Sequence, residues 1–196
     1  MSLLHGRSYL DLNKKKKLYN FDCDYYIINH GATILDKDDN ILDNNIIDES
    51  VIQNIKKDLN LTISLSYFCC STLESRVEFE HKDITKIHCK YTTKDTALKI
   101  NDIINNKYGS IVNSYYVKEN TIEVISKKCD KSNSISKIAR NEIIDSRDIF
   151  TVGDGYSDIP MIKDFNGYCM KNSVNQLKEL CKDKVIDSVS NLIKII

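Results

Sequence analysis

Residues 151–162 read TVGDGYSDIPMI, and two carboxylates, Asp154 and Asp158, stand either side of a glycine turn. Aspartates on a tight turn after an apolar run are how a chain presents carboxylates to a cation. The run fixes the base of the loop, and Gly153 and Gly155 let the backbone bend. Oxygen ligands with no His or Cys beside them favour a hard ion. Mg²⁺ commonly takes one or two protein carboxylates and fills its other positions with water and phosphate. The same spacing would equally serve a capped turn, with Ser157 or Asp158 at the amino end of the short helix IPMIKDF. Lys131 adds a second element. It lies in CDKSNSISKIAR at the start of a helix, where an ammonium and the first N–H groups together suit a phosphate.

These residues need a scaffold, and the pattern supplies one. DIFTVGDG is a strand that ends in the acidic turn, and the segments around it alternate: helix SISKIARNEI, helix IPMIKDF, strand GYCMK, helix SVNQLKEL, strand KVID, helix SVSNLIKII. Alternation of this kind builds a parallel sheet, and function collects at the carboxyl ends of its strands. Asp154 follows such a strand directly. Earlier in the chain, YLDLNKKKKLY is a helix capped by Ser8, Tyr25–Ile28 is a buried strand, and ATIL and NIL flank the turn DKDDN as a hairpin. Asp36, Asp38 and Asn40 alternate as in a calcium loop. The template's glycine and glutamate places hold Ile41 and Ile47, so calcium is excluded. Between them lies a unit of different rhythm: helix IIDESVIQNIKKDL, strands LTISLSYFCC and ITKIHCKY, helix TKDTALKINDIINNKY, strands SIVNSYYV and TIEVIS. The chain therefore divides into a first core part, 1–46, an inserted αββαββ unit, 47–126, and a second core part, 127–196. An insertion at a strand end is expected to lie over the site as a lid.

Composition narrows the function classes. The formal net charge is zero, with 28 basic and 28 acidic residues, so nothing in the balance points to nucleic acid or an anionic membrane. The lysine run Lys14–Lys17 lacks interleaved aromatics and reads as a solvated helix end. Seven cysteines without a C-x-x-C pair give neither a zinc pattern nor a disulfide framework. With no signal peptide and no long apolar run, a cytoplasmic location with reduced thiols is expected.

Taken in order, these motifs resemble the haloacid dehalogenase (HAD) superfamily, specifically its Cof-type phosphatases. GDGYSD resembles the family's GDGxND. HGR, residues 5–7, resembles TGR, and INHGATILDKDDNIL resembles the NGA strand and its hairpin. The inserted unit resembles the larger cap, and MKNSVNQLKELC resembles the MGNA strand and helix. The resemblance spans essentially the whole chain. It implies an α/β fold with a Rossmann-like parallel core and an inserted α+β cap. It further implies a Mg²⁺-dependent phosphatase of small phosphorylated metabolites. By this resemblance Asp154 and Asp158 are metal-site residues, Lys131 and Arg7 bind phosphate, and Gly153, Gly155, Ser157, Asn29 and Asn172 lie near the site.

The departures matter as much. The family's nucleophile motif, Asp-x-Asp-Gly-Thr, occurs nowhere in the 196 residues. It would end the first core strand, ahead of the TGR motif, so the core is expected to be N-terminally incomplete. No catalytic residue is assigned, and the chain as given is expected to be inactive. The pair in FDCD, Asp22 and Asp24, precedes its strand instead of ending one. His5 replaces the threonine of TGR, and Ser157 the usual asparagine. The alternative is a non-catalytic module that binds a phosphorylated ligand or a partner. The missing central strand would leave two rows of open backbone groups. Residues 2–4 are then expected to pair against Phe150–Val152, or another chain's strand to fill the slot, so self-association is expected through these strands.

Overall fold

The structure is a computed structural model that describes residues 2–4 and 6–194. His5, singled out above, lies outside the described residues. The chain forms two compact units, residues 1–129 and 130–196.

The first unit contains two sheets. A four-stranded sheet is built from β1 (Ser2–Leu4), β2 (Tyr25–Ile28), β3 (Thr33–Asp36) and β4 (Ile41–Asn44), in that order. β1 and β2 are parallel, with Leu4 opposite Ile27. β2–β3 and β3–β4 are antiparallel, so the sheet is mixed, with the hairpin where DKDDN places it. The Asp36 carboxylate accepts from the Asp38 and Asn40 N–H groups, each at 2.9 Å, so it closes the hairpin turn. α1 (Tyr9–Tyr19) connects β1 to β2, and the Ser8 side chain caps it by accepting from Asp11 N. The helix buries only Leu12, and its lysines stay near the surface. Lys16 is used locally, 3.3 Å from Asp39 and over the Tyr26 ring.

The second sheet has the order β6-β5-β7-β9-β8, from β5 (Ser64–Cys70), β6 (Ser75–Val77), β7 (Lys86–Tyr91), β8 (Val112–Val117) and β9 (Thr121–Ser126). All its pairings are antiparallel. α2 (Glu49–Asp58) and α3 (Lys94–Tyr108) cover one face. There Ile52, Ile55 and Ile104 meet Ile87, Cys89, Tyr91, Ile122 and Val124, each on alternate strand positions. Thr93 caps α3, as its position before an apolar-periodic run predicts. β6 is the element that the pattern does not announce. Its three residues, Ser-Arg-Val, are too few to show a period, and the strand exists because β5 offers it an edge.

The second unit carries a parallel three-stranded sheet, β10 (Phe150–Gly153), β11 (Asn166–Met170) and β12 (Val185–Ile186). It alternates with α4 (Lys131–Asn141), α5 (Ile159–Asp164), α6 (Asn175–Cys181) and α7 (Val189–Ile193). This is the βα alternation expected. The expected pairing of residues 2–4 with Phe150–Val152 is not found. β1 and β10 are each the edge strand of a separate sheet. All seven cysteines are buried and free, and burial pushes the Cys69 thiol up to about 12, away from thiolate chemistry. No described helix is long and apolar enough to cross a membrane.

Candidate active site

The acidic loop begins where β10 ends. Gly153 is the last residue of the strand and is buried. A Cβ at this position would lie 2.4 Å from the Asp158 Cβ, so only glycine lets the aspartate fold back over the strand end. That is the true requirement here. Gly155 is extended, with φ −120° and ψ 172°, and a Cβ there would meet the Asp158 carboxylate only at an ordinary 3.8 Å, so the bend expected of this glycine does not require it.

Asp158 is nearly buried, at 4% exposure, and its carboxylate is organised by protein donors. Oδ2 accepts from the N–H groups of Asp154 and Gly155, both at 2.9 Å. Oδ1 is paired with the Lys131 ammonium. The side chain therefore does not cap α5, whose first residue it precedes; it reaches backward and closes the loop. Burial alone would raise its pKa. The Lys131 charge and hydrogen bond and the two amides outweigh that and hold the carboxyl below the usual carboxylate range. Lys131 is itself buried, at the first position of α4, behind the Asp130 cap that accepts from Asn133 N.

Asp154 is the more exposed carboxylate of the loop, half-buried at the carboxyl end of β10. Its carbonyl accepts from Val174 N at 3.1 Å, and the Ser173 hydroxyl donates to the Gly153 carbonyl at 3.1 Å. Ser173 is thus a structural member of this loop that sequence reasoning missed. The resemblance singles out its neighbour Asn172, which is exposed. Ser157 lies in a short 3₁₀ turn between the two aspartates and is half-buried. Lys131, Gly153, Asp154, Gly155, Ser157 and Asp158 are therefore brought together in one unit.

The other two predicted residues meet in the first unit. β1 and β2 run parallel, so the segments after them lie side by side at one end of the sheet. The Asn29 N–H donates to the Arg7 carbonyl at 2.9 Å. Arg7 is exposed and Asn29 fully buried, with its side-chain amide donating to Thr85 Oγ1 at 3.1 Å. Asp22 and Asp24 sit at the amino end of β2, the opposite end from this pair. Asp22 accepts from the Tyr26 hydroxyl. Their placement fits a turn and not a nucleophile at a carboxyl strand end.

The match to known proteins agrees with this geometry. The family model for haloacid dehalogenase-like hydrolases matches residues 63–191. The chain belongs to this family. Among solved HAD structures, a haloacid dehalogenase-like hydrolase from B. subtilis superposes with a TM-score of 0.81 at 14% identity, covering 92% of this chain and 80% of that one. BT1666 from Bacteroides thetaiotaomicron, described among phosphatases of the HAD superfamily, gives 0.76 at 18% identity, covering 99% and 79%. A Mycoplasma capricolum protein of unassigned function is 27% identical over 205 residues, covering 87% of this chain and 76% of its own. The fold is the HAD-like α/β fold that the Cof-type motifs imply.

A hard cation fits part of this HAD loop. Among the described residues, no three His, Cys, Asp or Glu side chains converge to hold a metal ion. Mg²⁺ needs only one or two carboxylates when water and phosphate supply the rest. Asp154 meets that need by exposure, whereas Asp158 Oδ1 faces an ammonium that a cation would have to accommodate.

Proposed function

We propose that the loop of Asp154, Asp158 and Lys131 is the Mg²⁺ and phosphate end of a HAD-type phosphatase site for small phosphorylated metabolites. The observation that carries this reading is the closed arrangement of Asp158, held by Lys131 and by the amides of Asp154 and Gly155. It fixes the Asp154 backbone at a strand's carboxyl end, where parallel α/β sheets bind ligands. In this reading Asp154, with Asp158 beside it, holds Mg²⁺, which neutralises phosphoryl oxygens when bound. In the second unit Lys131 supplies positive charge to phosphate, with Ser157 and Asn172 near it, and in the first unit Arg7, beside Asn29, is a phosphate-binding residue in its own right. Residues 47–126 serve as the cap, between core parts 1–46 and 127–196. The protein acts in the cytoplasm, on neither nucleic acid nor membrane, and the edges of β1 and β10 are the surfaces for self-association.

The 196 residues themselves carry no Asp-x-Asp-Gly-Thr nucleophile. The chain as given therefore shows no turnover of p-nitrophenyl phosphate or sugar phosphates with Mg²⁺. Loss of a covalent nucleophile removes on the order of 10⁴–10⁶ in rate. Calorimetric titration tests the site independently of turnover: weak Mg²⁺ binding that Asp154→Ala abolishes supports it, and binding that survives Asp154→Ala places the ion elsewhere. Robust turnover abolished by Asp22→Asn would instead promote the FDCD pair. The alternative reading is a non-catalytic module that binds a phosphorylated ligand or a partner. Phosphate binding without turnover, in a chain extended upstream through its coding DNA, would select it.

A further inference from the structure

The first unit holds a buried ionic cluster that the phosphatase reading does not use. Glu123, on β9, is 8% exposed, and Lys86, on the adjacent β7, is 4% exposed. Glu123 Oε1 accepts from Lys86 Nζ at 3.0 Å and lies 3.1 Å from His88 Nδ1. Its Oε2 is paired with His30 Nε2. Burial opposes ionisation of Glu123, but Lys86 and then His30 and His88 hold its carboxyl well below the usual range. Two charges in an antiparallel sheet interior are costly to desolvate, and a well-packed apolar pair would often serve stability as well or better. The cluster thus needs a reason beyond stability.

Its contacts supply one. Lys86 Nζ also donates to the Gly6 carbonyl at 2.7 Å. His30 packs against Gly6 so closely that a Cβ there would lie 2.4 Å from the imidazole. The Arg7 carbonyl takes the Asn29 N–H, and the Ser8 hydroxyl takes a hydrogen bond from Ser75 Oγ at 2.6 Å. Gly6, Arg7 and Ser8 are each held by a separate contact, two of them from residues 75–86. The partner turn is held as firmly. Asn29, His30 and Gly31 are three successive left-handed residues, with φ of 49°, 58° and 102°. Non-glycine residues persist in that region only where the surroundings over-determine them. Here Thr85 and Ser71 hold the Asn29 side chain, and Glu123 holds His30.

We infer that Lys86 and Glu123 are positioning residues: they clamp the Gly6–Ser8 and Asn29–Gly31 turns and thereby set the direction in which Arg7 projects. The five-stranded sheet is then a working part of the Arg7 site and not only a cover. The clamp stands on the contacts above. Its link to phosphate rests on the reading of Arg7 as a phosphate residue.

Amide hydrogen exchange on the full chain separates the two. Asn29 N–H, bonded to the Arg7 carbonyl, is the reporter for the clamped turns. In Lys86→Met it is expected to exchange about tenfold faster or more, while amides of α3 and β8 stay within about twofold of wild type. Because Lys86→Met strands a buried carboxylate and can misfold, Lys86→Met/Glu123→Gln removes both charges and is expected to show the same local acceleration. Unchanged Asn29 exchange in a folded double variant overturns the clamp, and so does acceleration spread evenly over the unit. Inorganic phosphate then reads the consequence. Its Kd is expected to rise about tenfold in the double variant, and an unchanged Kd beside faster Asn29 exchange overturns the link to Arg7. A wild-type chain that binds no phosphate overturns the phosphate reading of Arg7, and the exchange result still decides the clamp.

Discussion

Asp158 and Glu123 are both nearly buried carboxylates held by a buried lysine, yet their remaining partners differ in kind. Asp158 is completed by two backbone amides of its own loop, three and four residues away. Glu123 is completed only by side chains, from Lys86, His88 and His30, which lie 37, 35 and 93 residues away. Backbone donors come with the turn and survive side-chain replacement. Side-chain donors exist only while the sheet and the N-terminal turns stay docked. The first acid is therefore a local device that shapes a loop, and the second is a long-range device that fixes one part of the fold to another.

The contrast breaks most easily at Glu123. Glu123→Ala leaves the Lys86 ammonium buried with the Gly6 carbonyl as its remaining bonded partner, and removal of one member of a buried pair costs about 3–5 kcal/mol. Asp158→Ala strands the buried Lys131 ammonium in the same way, yet costs less, about 2–3 kcal/mol, because Asp154 and Gly155 are only half-buried and water entering the opened loop can serve their amides and the ammonium. Urea unfolding of both variants, with the two units resolved by hydrogen exchange, measures the difference. Equal losses at the two sites would erase the distinction. Gly153→Ala sharpens it from the other side. The new Cβ meets Asp158 Cβ at 2.4 Å, so the substitution costs about 1–3 kcal/mol through the loop alone, with the first unit unaffected.

pH gives a second view of the loop. The folded Asp158 carboxyl lies below its unfolded value, so its contribution is fully present above the ordinary carboxylate range and is lost as pH falls through the folded value. The stability gap between wild type and Asp158→Asn should hold constant from about pH 7 to pH 5 and close below about pH 4. A gap that widens on acidification would mean that burial, and not Lys131, governs the group.

The same contrast explains what the sequence discloses. The acidic loop is legible because Asp154 and Asp158 are four residues apart and follow an apolar run. The βα alternation around them, the hairpin at DKDDN and the Thr93 cap are local signals of the same sort. Lys131 needs more. It is 27 residues from Asp158, and only the order of motifs along the family pattern brings the two together. The Lys86–Glu123–His30 cluster has no sequence signature, because its members sit on ordinary strand and turn positions and meet only through sheet register. The short β6 and the separate edges of β1 and β10 are of this kind also: each depends on which neighbour a strand finds, and the residues of the strand do not encode that.

The smallest effect tests the neighbouring pair Asn172 and Ser173, where family pattern and geometry choose different residues. The resemblance to MGNA singles out Asn172, which is exposed. The structure instead uses Ser173, whose buried hydroxyl donates to the Gly153 carbonyl and so secures the strand end over which Asp158 folds. Ser173→Ala removes that donor and leaves the carbonyl short of a partner, a loss of about 1 kcal/mol. Asn172→Ala changes an exposed side chain and stays within about 0.5 kcal/mol. Paired thermal melts decide between them. If Asn172→Ala proves the more destabilising, the loop's anchor lies on the side the family pattern indicates, and Ser173 is incidental to it.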